Sequence, residues 1–266
     1  MSFGGDRCRV KPRMSATSAG GAHVRKHVVS LRWGPRSGNG SNQDGRNAVP
    51  GTLIGMREMP MFPLGAVLLP GEQLPLRIFE PRYAAMVPVV EKDDGKFGVV
   101  LIERGSEVGG GDVRSMVGTI AQIDRFTQSG PGRYSLLCNG VSRIRVLEWL
   151  PDDPYPHAIV EDLPEPEVGY LEWSELMEKR AQLQLLCGQG GRQDPQLRWI
   201  ASQLSTTVEY ESGDQTTASF RAASDLPLGP ADRQSVLEAP DPGARIDVID
   251  AALDDLIAAL RFRLKG

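Results

Sequence analysis

The residues able to do chemistry are few and scattered. His157 is the only histidine in residues 56–266, and a lone imidazole near the end of a strand pattern reads as structural or surface before it reads as a general base. Cys8, Cys138 and Cys187 are odd in number and far apart, with no Cys-x-x-Cys pair, a pattern that argues against zinc ribbons and disulfide scaffolds. Cys138 and Cys187 fall on apolar faces and read as small buried hydrophobes. With only His23, His27 and His157 beside them, a structural transition-metal site has almost nothing to be built from. Glu172, Glu175 and Glu178 form a helical acidic row, read as a solvated face. Arg143 and Arg145 read as outward-facing strand charges rather than anion ligands. Lys96 alone follows a glycine, but Phe97 comes next and the earlier glycine is missing, so no phosphate loop is present. Gly109-Gly110-Gly111 lacks dinucleotide-fingerprint spacing and reads as a flexible hairpin loop. No spacing marks a nucleophile–base pair. The expectation is therefore no catalytic residue, no cofactor and no metal.

Charge narrows the partners. Residues 1–55 carry nine Lys and Arg against Asp6 and Asp44, a balance of +7 within a chain of net charge −4. The remaining residues then carry 21 basic against 32 acidic side chains, a balance of −11. An acidic body repels phosphate backbones, so nucleic-acid binding is disfavoured there, a local basic patch aside. No apolar run approaches the roughly 18 residues a membrane span needs. Residues 1–55 hold ten glycines, show no period of 2 or 3.6, and are too poor in apolar surface to offset chain entropy. They lack the apolar core of a secretory signal. The reading is a disordered basic leader, or an upstream start with Met56 as the real initiator. An organelle transit peptide and a nucleic-acid-touching arm are the functional alternatives.

The elements that must position any site fall into two halves. Met59 to Pro63 leads through Val67-Leu68-Leu69 to a Pro70-Gly71 turn. Leu74, Leu76 and Ile78 then alternate with polar or proline positions as in a half-buried strand. Glu80-Pro81 opens a helix whose apolar face is Tyr83, Met86, Val87 and Val90, with Pro88 expected to shorten or kink it. Strands are expected at Phe97–Ile102, Val117–Ile123 and His157–Leu163. Tyr134–Cys138 and Val141–Val146 are expected to pair as a hairpin across Asn139-Gly140 in a type I′ turn. Such short strands point to a closed or nearly closed barrel. Beyond Pro164-Glu165-Pro166 the period turns helical. Trp173 to Cys187 forms one helix stopped by Gly188, and Asp194-Pro195 caps a second that runs to Val208. Pro230–Glu238 is a third, and Asp241-Pro242 opens the last. The boundaries expected are 1–55, a strand-rich 56–166 and a helical 167–266.

One ordered series of motifs resembles a known family. It runs through Phe62-Pro63-Leu64, Leu69-Pro70-Gly71 and the specific run Ile78-Phe79-Glu80-Pro81-Arg82-Tyr83. It continues at Phe97-Gly98-Val99, Val117-Gly118-Thr119, Gly140-Val141-Ser142-Arg143, Pro154-Tyr155-Pro156, Leu226-Pro227-Leu228 and Leu237-Glu238-Ala239-Pro240. The series resembles the N-terminal substrate-binding domain of the Lon protease family and covers most of 56–266. Nothing in 1–55 contributes to it.

The resemblance implies an α+β chain: a small PUA-like β-barrel followed by a C-terminal helical bundle, with a disordered N-terminal extension. It also implies a stand-alone, non-catalytic module without the ATPase and Ser–Lys protease modules, despite the family's peptidase label. The implied partners are unfolded or client polypeptides, with an ATP-dependent protease as a further partner and the cytoplasm as the location. Phe79, Glu80, Pro81, Arg82 and Tyr83 are the candidate signature and peptide-contact residues. Arg82 is expected to pair with Glu80 while Phe79 and Tyr83 fill the barrel end. The alternatives carried forward are an RNA-binding PUA-like protein and a hydrolase with an unrecognised site.

Overall fold

A computed structural model describes residues 55–105, 112–205, 210 and 214–265. The expectations for the basic extension, for Gly109-Gly110-Gly111 and for Val208 lie outside the described residues. Six strands come first: β1 (Met56–Leu64), β2 (Gln73–Ile78), β3 (Lys96–Arg104), β4 (Val113–Gly130), β5 (Arg133–Trp149) and β6 (His157–Asp162), with α1 (Pro81–Lys92) between β2 and β3. Then follow α2 (Ser174–Gly190), α3 (Pro195–Leu204), α4 (Gln215–Ser224), α5 (Pro230–Glu238) and α6 (Pro242–Arg263). The architecture is α+β.

Hydrogen-bonded pairing closes the strands into a ring. β1 runs parallel to β3 and antiparallel to β6, β3 pairs with β4, and β4 with β5. The C-terminal half of β5 then returns to β6, with Val146 opposite Val160. Closure removes sheet edges, and β2 is left outside the ring, paired only with the N-terminal half of β5. Met61, Val100, Ile120, Ile144, Val146 and Val160 fill the interior. Each such side chain contributes about 1.5–3 kcal/mol on burial. Tyr83, Met86, Val87 and Val90 of α1 cover one end of the barrel together with Phe62 and Phe97. Val67 and Leu69 leave the barrel to join the helical core, whereas Leu68 between them stays with the barrel.

The expected Asn139-Gly140 hairpin is not formed. β5 runs unbroken through both residues, and Asn139 is paired on one side with Gln73 and on the other with Gln122. Gly140 serves close approach instead: a Cβ there would lie 2.4 Å from the Leu69 carbonyl oxygen. The true β4–β5 turn is at Gly132, with φ +64.

Two helices run past their expected stops. α1 continues through Pro88 to Lys92, its buried face spanning both sides of the proline. α2 passes Gly188 and ends where the Gly191 N–H donates to the Cys187 carbonyl at 2.8 Å. The caps at Asp194 and Asp241 form, their carboxylates accepting from Gln196 N at 2.8 Å and Ala244 N at 2.9 Å. α4, absent from the sequence reading, is capped by Asp214 and buries mostly small residues around Phe220.

Candidate functional site

The signature run sits at the junction of β2 and α1. Ile78 ends β2 facing inward and is buried; Phe79, the next residue, turns the other way and is 68% exposed. Phe79 therefore does not fill the barrel end, as strand alternation points it outward. Glu80 is the N-cap residue without a side-chain cap bond. Its carboxylate instead accepts from Arg82 Nε at 3.2 Å. Pro81 occupies the first helical position, where its missing N–H costs nothing. Arg82 lies 4.5 Å over the Tyr83 ring. Tyr83 stacks on Phe62 with centroids 4.0 Å apart, and burial pushes its phenol up to about 12, with Arg82 opposing and Glu80 adding. Arg82 and Tyr83 thus brace the barrel end.

Behind them, Arg114 donates to Asp112 at 2.9 Å and to Asp152 at 2.8 Å and lies 4.7 Å over the Trp149 ring. Burial disfavours its charge, yet these carboxylates raise its pKa above the usual guanidinium value. This ion cluster was not anticipated, because Asp152 lies 38 residues from Arg114 in sequence.

Beside this junction, β2, β5 and β4 form a three-stranded ribbon with one apolar face. Its rows are set by register: Leu74, Cys138 and Ile123; Leu76, Leu136 and Phe126; Ile78, Tyr134 and Gln128. The central Leu136 and Cys138 are buried under α1. The flanks are not: Leu74, Leu76, Ile123 and Tyr134 are half-buried, and Phe126 is 44% exposed. An aromatic at the margin of a partly covered apolar strip is the anatomy of a surface that accepts apolar side chains.

Arg143 corrects a sequence expectation. It faces away from the barrel interior but is only 3% exposed, because the helices dock there. Its Nε donates to Glu165 at 2.6 Å and its Nη1 to the Leu237 and Ala239 carbonyls at 2.9 and 2.6 Å. The other Glu165 oxygen takes Arg245, fully buried on α6, whose guanidinium lies 3.8 Å over the Phe220 ring. Arg233 of α5 likewise pairs with Glu72 just before β2. These ties hold the ribbon and barrel against the helices.

The remaining candidates stay apart. Arg145 is exposed, as expected. His157 Nδ1 lies 3.1 Å from Glu58 and its ring stacks on Tyr155 at 4.5 Å. Cys138 and Cys187 are buried, with burial pushing the Cys138 thiol up to about 12. Glu172, Glu175 and Glu178 are exposed, and Glu175 pairs with Lys179 at 3.0 Å. Among the described residues no group of acids, histidines or cysteines is arranged to hold a metal. No described helix is long and apolar enough to cross a membrane.

Comparison with known proteins agrees with this architecture. Residues 58–254 match the family described as the ATP-dependent protease La (LON) substrate-binding domain. Lon protease 2 of Myxococcus xanthus is 31% identical over 198 residues, covering 72% of this chain and 23% of its own length. Lon protease of Phenylobacterium zucineum (strain HLK1) is 28% identical over 219 residues, covering 78% of this chain and 26% of its own length. The chain spans about a quarter of the length of these relatives. A Lon N-terminal domain protein from Xanthomonas campestris, solved by crystallography, superposes with a TM-score of 0.53 at 26% identity, covering 73% of this chain and 98% of that one. The match runs from the first barrel strand into the last helix, and the chain belongs to the Lon substrate-binding domain family.

Proposed function

We propose that this protein is a non-catalytic module that holds extended, partly apolar segments of unfolded or client polypeptides on the β2–β5–β4 ribbon. The observation that carries the reading is the ribbon's apolar face, left half-covered by α1 with Phe126 at its margin. Phe79, exposed just past β2 and turned away from the apolar rows, is proposed as a second contact beside the ribbon, and Glu80, Pro81, Arg82 and Tyr83 position it. Family membership supports the substrate class, since the matched family is described by substrate binding. The barrel subdomain, 56–166, supplies the surface and the helical subdomain, 167–266, braces it. A cytoplasmic client delivered to an ATP-dependent protease is the physiological setting proposed.

The test is fluorescence anisotropy of the full chain with a labelled, permanently unfolded protein, using RNA of similar length as control. The expected result is saturable polypeptide binding with no peptide turnover. RNA binding alone, with steep salt dependence, would replace this reading by the nucleic-acid one. Peptide cleavage surviving rigorous purification would replace it by the hydrolase one.

A further inference from the structure

We infer that the free edge of β2 is a strand-addition site for segments in which apolar and acidic residues alternate. The inference rests on the polypeptide-binding reading and specifies how, and which, segments bind.

The edge is open and its phase is fixed. β2 ends the sheet order, and among the described residues no backbone hydrogen bond reaches its outer side. The Gly140 N–H donates to the Glu72 carbonyl at 2.8 Å, which sets the alternation. Leu74, Leu76 and Ile78 turn their backbone groups to β5, and Gln73, Pro75 and Arg77 turn theirs away. Pro75 falls in the outward set, where a strand tolerates proline. The open edge therefore presents the N–H groups of Gln73 and Arg77 and three outward carbonyls. Pro75 shortens the ladder, which suits a short guest segment rather than indefinite stacking.

The two faces beside that edge differ in chemistry. On one lie Leu74 and Leu76, half-buried, with the apolar rows behind them. On the other lie Gln73, Pro75 and Arg77, backed by Ser135 and Leu137 of β5 and by Arg125 and Thr127 of β4. Arg133 is exposed at the turn. Arg125 is paired with Asp124 at 3.4 Å, whereas among the described residues no carboxylate pairs with Arg77 or Arg133. A strand added at about 4.8 Å places alternate side chains over each face. Apolar ones meet Leu74 and Leu76, and acidic ones fall within cross-strand reach of Arg77. Other occupants fit worse. A second copy paired symmetrically about Pro75 would set proline against proline and lose both ladder bonds at that point. RNA would meet a body of balance −11 over residues 56–266 that repels its phosphates.

The test uses the full chain and a short fluorescein-labelled peptide of alternating Val and Glu. Its counterparts are the Val–Lys analogue and a Val–Glu peptide N-methylated on alternate amides. The Val–Glu peptide is expected to bind about tenfold tighter than Val–Lys, since one contact changes from attraction to repulsion. Arg77→Glu, folded by circular dichroism, is expected to invert that order. N-methylation is expected to abolish binding, and the Val–Glu peptide to slow amide exchange at Gln73 and Arg77. Undiminished binding of the N-methylated peptide, or unchanged exchange at both amides, overturns the inference. The same samples are titrated with the unfolded protein. Binding there without peptide discrimination leaves the binding module standing and removes strand addition, whereas no binding of either removes both.

Discussion

Arg143 Nε donates to Glu165 at 2.6 Å across the seam between the barrel and the helices, and the second oxygen of the same carboxylate holds Arg245. One carboxylate, itself only half-buried, thus serves two buried guanidinium groups drawn from β5 and α6. Breaking such a cluster leaves an uncompensated charge, which costs more than the intact cluster contributes. Glu165→Gln is expected to lower stability by about 3–5 kcal/mol in urea unfolding, and Arg143→Ala to fall in the same range. A loss below about 1 kcal/mol, the level of an exposed pair, would show that the seam is wet and the clamp idle.

The continuity of β5 through Asn139-Gly140 sets the second expectation. Gly140→Ala drives a Cβ toward the Leu69 carbonyl and is expected to cost about 1–3 kcal/mol. A single glycine inserted between Asn139 and Gly140 would flip every later side chain of β5 to the other face and abolish folding. The same insertion beside Gly132, in the real turn, is expected to be tolerated. Equal tolerance at both places would restore the hairpin at Asn139-Gly140.

How much was legible beforehand follows from what local signals contain. Asp194-Pro195 and Asp241-Pro242 state helix starts within a few residues, and both form. Alternation at Leu74, Leu76 and Ile78 gave β2, and the signature run marked its junction with α1. Asn139-Gly140 misled because a turn dipeptide carries no information about a strand passing close to another backbone. Arg143 misled because period-2 patterning distinguishes two faces but not which of them a distant helix will cover. α4 stayed invisible because its buried face is built mostly of alanine and serine. Barrel closure through β5 and β6, and the ribbon's half-open face, depend on register between distant strands.

Alkaline stability follows from buried phenols. Burial raises the pKa of Tyr155 and Tyr210 and pushes Tyr83 up to about 12. The folded state therefore holds these protons more tightly than the unfolded chain. Their contribution is fully present below the unfolded value near 10 and is lost as pH rises toward 12 and beyond. Urea midpoints are expected to fall across that window, and Tyr83→Phe to flatten part of the fall. A midpoint constant from pH 9 to 12 would contradict the buried phenols.

Thiol reactivity gives an independent check on the core. Cys138 and Cys187 are buried, and burial raises both thiols above their ordinary value. A Cys8→Ser chain is expected to show no reaction with a thiol reagent in native buffer and to react at both cysteines in urea. Rapid native labelling of Cys138 would mean that α1 does not cover the ribbon.

The central claim is that the apolar ribbon face holds polypeptide. Phe126 and Val141 are both exposed strand residues, at 44% and 50%, but only Phe126 belongs to the apolar rows of that face. The most direct measurement is the anisotropy titration of a labelled, permanently unfolded protein with the wild-type chain, Phe126→Asp and Val141→Asp. The account gives saturable binding to the wild type, at least about tenfold weaker binding for Phe126→Asp, consistent with loss of a buried aromatic contact, and unchanged binding for Val141→Asp. Equal affinity for all three chains, or no binding to the wild type, would contradict it.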